Sequence, residues 1–272
     1  MLETLEIRNA QGALLSFPLE DVSDGFVLAD IQGLEPVDAT LVSSSFANMD
    51  GEQYHSSRRT KRNIILKIEL KPDFVVDSVR DLRKRLYEFF MPKTEVQLRF
   101  ILDDVTANIM GRIETFACPL FVRDPEANIS LLCFDSDFVD INTSLLEGLT
   151  TDTATETPIP YEGTVETGIL FTLNVDRTIG SFDIEHRGPD DVVRTLSFAS
   201  SLIAGDVVTI NTNVGEKIAT RLRGGITTSL VYAVSPTSKW IELGHGENHI
   251  RVYAVGAGVP FEIQYANRYG GL

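Results

Sequence analysis

The chain has 272 residues, 43% of them hydrophobic and 23% charged, enough to bury a sizeable core in one large domain or two ordinary ones. Its 24 basic and 39 acidic residues give a net charge of −15 and a pI near 4.7, which argues against a surface that wraps duplex DNA or a polybasic membrane patch. No stretch approaches the ~20 apolar residues of a membrane span, and the opening Met-Leu-Glu-Thr-Leu-Glu-Ile-Arg lacks the layout of a signal peptide, so the chain reads as soluble and made intracellularly. Two cysteines and four histidines leave little material for a disulfide framework or a structural metal. In chain order, Leu2, Leu5 and Ile7, then Ala13–Leu15, Phe26–Leu28 and Thr40–Val42 are short apolar runs separated by Gly12, Gly25 and Gly33, the signature of strands. From Asn63 to Leu70 the pattern alternates, putting Leu66, Ile68 and Leu70 on one face and Lys67, Glu69 and Lys71 on the other. From Asp77 the period changes. Val79, Leu82, Leu86 and Phe89 or Phe90 form a helical stripe, Ser78 and Asp81 resemble a capping box, and Pro92 ends the run. Strands are expected again at 95–102, 109–116 and 128–134, with turns at Asp103-Asp104 and around Pro125.

Residues 149–162, rich in Thr and carrying two prolines, read as a linker between a domain at 1–148 and one at 163–272. The second half is almost wholly strand-like, with runs at 169–175, 181–186, 192–198, 207–211, 229–234, 239–243, 248–255 and 261–265, which predicts a β-sandwich. The fold class is therefore mainly β, with one helix in the first half.

Candidate chemistry is thin. His245 and His249 are four apart, a metal-binding spacing on a helix, but Gly244 and Gly246 place them on a turn. His55 and His186 have no nucleophile pattern beside them and read as ordinary surface groups. A hairpin centred on Pro125 and Glu126 sets Cys118 opposite Cys133, so either a disulfide or two buried thiols fits. The acidic pairs Asp103-Asp104 and Asp190-Asp191 are explained by turns, and Gly224-Gly225 lacks the residues of a phosphate loop. No catalytic residue, metal ligand or cofactor site is expected. Two basic clusters stand out in so acidic a chain: Arg58, Arg59, Lys61 and Arg62 before the alternating strand, and Arg80 with Arg83–Arg85 on the helix. Each fits a solvated face, or docking on an acidic neighbour such as a second copy. Trp240, Tyr232 and Tyr253 are either core-edge residues or a saccharide-stacking set.

Several segments resemble the distal tail proteins (Dit) of long-tailed, non-contractile bacteriophages: the basic turn and strand Arg58–Ile68, the helix Ser78–Phe90 with Met91-Pro92, the run Leu202–Thr212, the turn Leu243–Asn248 and the ending Ile263–Leu272. The resemblance implies a tail-tube-like N-terminal β-barrel carrying one helix, followed by a galectin-like or carbohydrate-module-like β-sandwich. It implies a non-enzymatic structural hub that forms a homohexameric ring at the distal end of the virion tail and is assembled in the host bacterial cytoplasm. The implied partners are the tail tube protein, the tape measure protein and tail-tip, fibre or receptor-binding proteins, with DNA only in transit through the lumen and no membrane insertion. The region from Ala47 to Arg62 matches the arm this family extends toward its neighbour, making Arg58, Arg59, Lys61 and Arg62 candidate interface groups. The alternative is a carbohydrate-binding module that touches the host envelope through the second half.

Overall fold

The computed structural model describes residues 1–19, 21–48, 50–119, 122–256 and 258–272. They fall into two units, Met1–Ile141 with Tyr269–Leu272, and Asn142–Arg268. In the first unit β1 (Leu2–Asn9), β2 (Leu14–Pro18), β3 (Phe26–Gln32), β4 (Ala39–Ser44), β5 (Gln53–Arg59) and β6 (Arg62–Leu70) precede helix α1 (Val79–Phe90). β7 (Glu95–Leu102), β8 (Thr106–Ala117), β9 (Glu126–Cys133) and the start of β10 (Phe138–Leu149) follow it. The strands other than β4 and β5 form a run in the order β3-β6-β9-β8-β7-β1-β2, antiparallel at every step, with Val139 and Asp140 of β10 against β8. Alternation is strict where the sequence alternates: Ile64, Leu66, Ile68 and Leu70 point inward from β6, as do Leu5 and Ile7 from β1 and Ala127, Ile129 and Leu131 from β9. All of them meet in one core, so the run wraps around it.

The helix closes that core with Leu82, Leu86, Phe89 and Phe90; each fully buried side chain contributes roughly 1.5–3 kcal/mol. Its start is fixed by a reciprocal cap: the Asp81 amide donates to Ser78 Oγ at 3.3 Å and the Ser78 amide donates to the Asp81 carboxylate at 3.2 Å. The Ser78 hydroxyl, which donates to the same carboxylate at 2.6 Å, and after it the Ser78 amide hold the Asp81 carboxyl below its ordinary value.

The second unit receives the rest of β10 and continues with β11 (Thr157–Tyr161), β12 (Thr167–Gly168), β13 (Leu170–Asn174), β14 (Ile179–Arg187), β15 (Val193–Leu202), β16 (Val207–Asn211), β17 (Ile218–Arg223), β18 (Ile226–Ser229), β19 (Glu242–Leu243), β20 (Gly246–Tyr253) and β21 (Pro260–Tyr269). Two main sheets form, β18-β17-β16-β13-β21-β10 and β11-β20-β14-β15, with β12 and β19 paired apart from both, and the inward faces of the two main sheets share one core. Phe171 of the first sheet stacks on Phe182 of the second at 6.1 Å, and Phe182 stacks on Phe198 at 4.9 Å. This is a β-sandwich.

Several expectations need correction. Residues 149–162 are not a free linker: β11 lies within them, pairs with β20, and buries Ile159 and Tyr161. Pro158 and Pro160 fit because β11 is an edge strand, where the missing donors face no partner. The chain passes between units inside β10 and returns inside β21, so the boundary falls at 141/142 and the last four described residues rejoin the first unit. Residues 53–59, for which no strand is expected from the sequence, form β5. Residues 229–234 are mostly a single 3-10 turn, Val231–Ala233. Cys118 and Cys133 are free and buried, because β8 pairs Ala117 with Asn128 and not with Phe134, as a turn centred on Pro125 and Glu126 would require, which leaves the cysteines out of register. Burial pushes the Cys133 thiol up to about 12, the opposite of a reactive thiolate.

His186 is not a surface group but 1% exposed within the sandwich. The Asn248 amide fixes its tautomer: Asn248 Nδ2 donates to the Gly244 and Gly246 carbonyls at 2.8 and 3.0 Å, and Oδ1 accepts from the Gly244 amide, so His186 Nε2 donates to Oδ1 at 3.0 Å. Nδ1 is left buried without a partner among the described residues. Burial, aided by Arg194 and opposed by the Asn248 bond and Asp190, lowers the imidazole pKa from its ordinary 6.5. A lowered folded value means that the unfolded chain takes up the proton first. The stabilisation is full above the ordinary value and is lost as pH falls from there through the folded value. The expected result is a melting midpoint that drops between pH 7 and pH 5, and a shallower drop over the same interval in His186→Gln, measured by thermal denaturation.

Candidate assembly interface

β4 and β5 form a two-stranded sheet of their own. Every residue of β5 is exposed, as is every residue of β4 before Ser44, and a lone hairpin is marginal in water unless its ends are held. Inside the hairpin, Ser44 Oγ meets His55 Nε2 at 2.7 Å, Tyr54 donates its hydroxyl proton to Ser57 Oγ at 2.8 Å, and Ser43 pairs with Glu52. Leu41 lies opposite Ser57, so Leu41 and Tyr54 share one face. Both are exposed, at 67% and 60%.

At the base, the Arg59 guanidinium clamps the buried Asp137 carboxylate through both terminal nitrogens. The Thr60 amide donates to the Asp38 carbonyl at 2.9 Å. One residue further, Arg62 is 1% exposed and therefore is not available as the surface contact that the sequence suggests. Its Nε donates to the Ser136 carbonyl at 2.8 Å, Nη1 to those of Gly33 and Glu35 at 2.6 and 2.7 Å, and Nη2 to that of Gly270 at 2.6 Å. The guanidinium also lies 4.3 Å from the centroid of the Phe138 ring. Gly33 is required there: its φ is +89°, and a Cβ would stand 2.0 Å from the Asn63 carbonyl oxygen. The four basic candidates thus divide by role. Arg62 and Arg59 fasten the hairpin, while Arg58 and Lys61 are exposed and, among the described residues, paired with no carboxylate. The helix cluster is partly used in a similar way, since Arg85 reaches Asp24 and Asp77 at 3.6 and 3.7 Å and Arg83 donates to the Tyr87 hydroxyl at 2.9 Å.

The saccharide candidates sit in three different settings. Tyr232 is exposed on the 3-10 turn, Trp240 packs half-buried against the sandwich core, and Tyr253 lies on β20 with Arg251 5.2 Å from its ring centroid. No ring contact joins two of the three among the described residues. The histidine pair also separates, with His245 Nδ1 on the Gly163 carbonyl at 3.1 Å and His249 beside Glu156 and Glu247.

Because Arg62 binds carbonyls that only a planar, five-donor cation can reach together, Arg62→Lys is expected to destabilise the first unit by roughly 3 kcal/mol. Replacing both Arg58 and Lys61 by Ser is expected to cost less than about 0.5 kcal/mol. Urea unfolding of the full chain checks both.

Comparison with known proteins matches residues 162–269 to the family described as "Siphovirus-type tail component, C-terminal domain". None of the curated proteins matches the chain in sequence. Among solved structures, that of the Dit (gp 19.1) protein of phage SPP1, titled a paradigm of the hub adsorption apparatus in phages infecting Gram-positive hosts, superposes with a TM-score of 0.68 at 15% identity, covering 97% of this chain and 98% of that one. Two structures of the phage p2 baseplate in its activated conformation, with Sr and with Ca, give TM-scores of 0.46 and 0.44 at 10% identity, covering 96% and 97% of this chain and 97% and 98% of theirs. Residues 162–269 therefore match the siphovirus-type tail component family, and the chain as a whole shares the fold of SPP1 Dit.

Proposed function

We propose that this protein is a structural hub of a phage tail tip, located at the distal end of the virion tail, whose first unit assembles with copies of itself into a six-membered ring. The ring joins the tail tube to the tip complex and lines the channel through which DNA and the tape measure protein pass. The sandwich serves as a docking platform for tip, fibre or receptor-binding proteins. No catalytic step and no cofactor enter this reading. The family match and the fold shared with SPP1 Dit support it, and one observation carries it: a hairpin exposed on both faces, anchored by Arg59, with Arg58 and Lys61 unpaired in a chain of net charge −15. Such an arm makes physical sense as a group that finds its partner on another copy. A ring of six would carry six times that negative charge, and a lumen sharing it would repel DNA phosphates and keep transit unobstructed. The alternative of a saccharide-binding module finds no contact between the rings of Trp240, Tyr232 and Tyr253 among the described residues, and the Tyr253 ring has Arg251 beside it.

Light scattering of the full chain over a range of concentrations, with negative-stain images of the same fractions, is expected to give closed six-fold rings. Arg58→Ser with Lys61→Ser should weaken assembly and flatten its salt dependence. A monomer at every concentration, together with binding of host glycans that changes Trp240 fluorescence, would shift the reading to the saccharide module.

A further inference from the structure

We infer that β18, an edge strand of the sandwich, is where a partner chain adds an extended segment of alternating apolar and acidic residues as a further strand. The inference rests on the reading of the sandwich as a docking platform and names its docking edge. Among the described residues β18 pairs only with β17, and all four of its residues are exposed. Natural sheets normally block such an edge. The second sheet of the sandwich does so at both ends. β11 carries Pro158 and Pro160, and alongside β15 the amides of Ser235 and Lys239 donate to the Ser197 and Thr195 carbonyls at 3.0 and 2.9 Å. β18, with the sequence Ile-Thr-Thr-Ser, has neither a proline nor a charge, and its Ile226 is 68% exposed.

Register decides which backbone groups the edge offers. Gly224 and Gly225, with φ of +56° and +82°, make a two-residue hairpin turn, so Arg223 and Ile226 exchange both backbone hydrogen bonds across it. Bonded and open pairs alternate from there. Thr227, opposite Leu222, and Ser229, opposite Thr220, therefore aim their amides and carbonyls away from β17. Side chains select the occupant. Thr228 shares a face with Arg221, whose Nη2 donates to Thr228 Oγ1 at 3.4 Å and so brings the cation to the edge, and no carboxylate pairs with Arg221 among the described residues. Asp206, on which its charge acts through space, is clamped by Arg223 at 2.6 and 2.5 Å. On the opposite face Thr227 lies beside Leu222, which is 41% exposed. A strand added here thus meets Leu222 with the residue opposite Thr227 and Arg221 with the residue opposite Thr228, apolar in the first place and acidic in the second. The four residues of β18 extend ~13 Å. That is room for an extended segment and too little for the ~1,200 Å² or more that two folded copies bury in a stable interface.

Two short labelled peptides, one alternating Val with Glu and one alternating Val with Lys, test this by fluorescence anisotropy on the full-length protein. Thr227→Pro removes an edge amide without touching a bond to β17, Arg221→Gln removes the charge, and melting midpoints verify that both variants fold. The expected result is that the wild type binds the Glu peptide at least tenfold more tightly than the Lys peptide, that Thr227→Pro weakens the Glu peptide at least tenfold, and that Arg221→Gln narrows the difference between the two. No binding of either peptide, equal binding of both, or binding unchanged in Thr227→Pro overturns the assignment. Assemblies that double in mass and fall back in Thr227→Pro make the occupant a second copy, and overturn it too. A photo-crosslinker in place of Thr227, or of the exposed Val193, Ile203 or Val255, in assembled tails separates this result from the platform reading. Cross-links from 227 to another tail protein are expected. Cross-links from the other positions alone overturn the edge and leave the platform standing, and cross-links from none overturn both.

Discussion

The first unit depends on a buried cation. The Arg62 guanidinium gathers carbonyls from residues 33 and 35, from residue 136 and from residue 270, segments that adjoin β3, β10 and β21. A charge so deeply placed is costly unless every donor is met, and here four of its five N–H groups end on backbone oxygens while the ring of Phe138 covers it. The network is specific because those oxygens belong to chain segments without regular pairing. Arg62 supplies them with the hydrogen bonds that strands would otherwise provide. It also sets where the hairpin starts, since Arg59, three residues earlier, reaches Asp137, the neighbour of Ser136.

Much of the fold was legible because its signals are local. Ser78, Asp81 and the stripe from Val79 to Phe90 define a helix by themselves, and the alternation of Leu66, Ile68 and Leu70 defines a half-buried strand. The second half announced a sandwich through short apolar runs at regular spacing. What stayed hidden depends on partners. β5 carries no apolar alternation because neither face is buried, and its strand character comes from pairing with β4. β11 looked like a linker because prolines mark breaks in general, whereas an edge position tolerates them. The cysteine register failed because the β8–β9 hairpin turns earlier than Pro125 and Glu126, so that Ala117 faces Asn128, and the turn residues at 124–126 mark the start of β9 and not the centre of the hairpin.

The candidate interface was legible as composition and not as geometry. Four basic residues in an acidic chain pointed to a contact, and the structure separates two that fasten the hairpin from two that remain exposed. The distinction rests on Ser136, Asp137 and Gly270, which lie 74 to 208 residues away in sequence. His186 follows the same logic. Its burial is set by Asn248 and the turn around Gly244, 62 residues downstream at the Asn248 contact, so a lone histidine on β14 carries no local mark of its role. The open edge at β18 likewise follows a Gly-Gly turn that says nothing of which neighbouring strand is missing.

The return of the chain to the first unit at Tyr269 also fixes an order of events during synthesis. Residues 1–141 leave the ribosome before any of the second unit, yet the carbonyl of Gly270 that Arg62 binds is made only after that whole unit. Until then the guanidinium has one acceptor missing, and the floor against which Leu272 packs beside Leu34 is uncovered. The first unit is thus finished last, and a nascent chain holding only its N-terminal half presents that unit with part of its core uncovered.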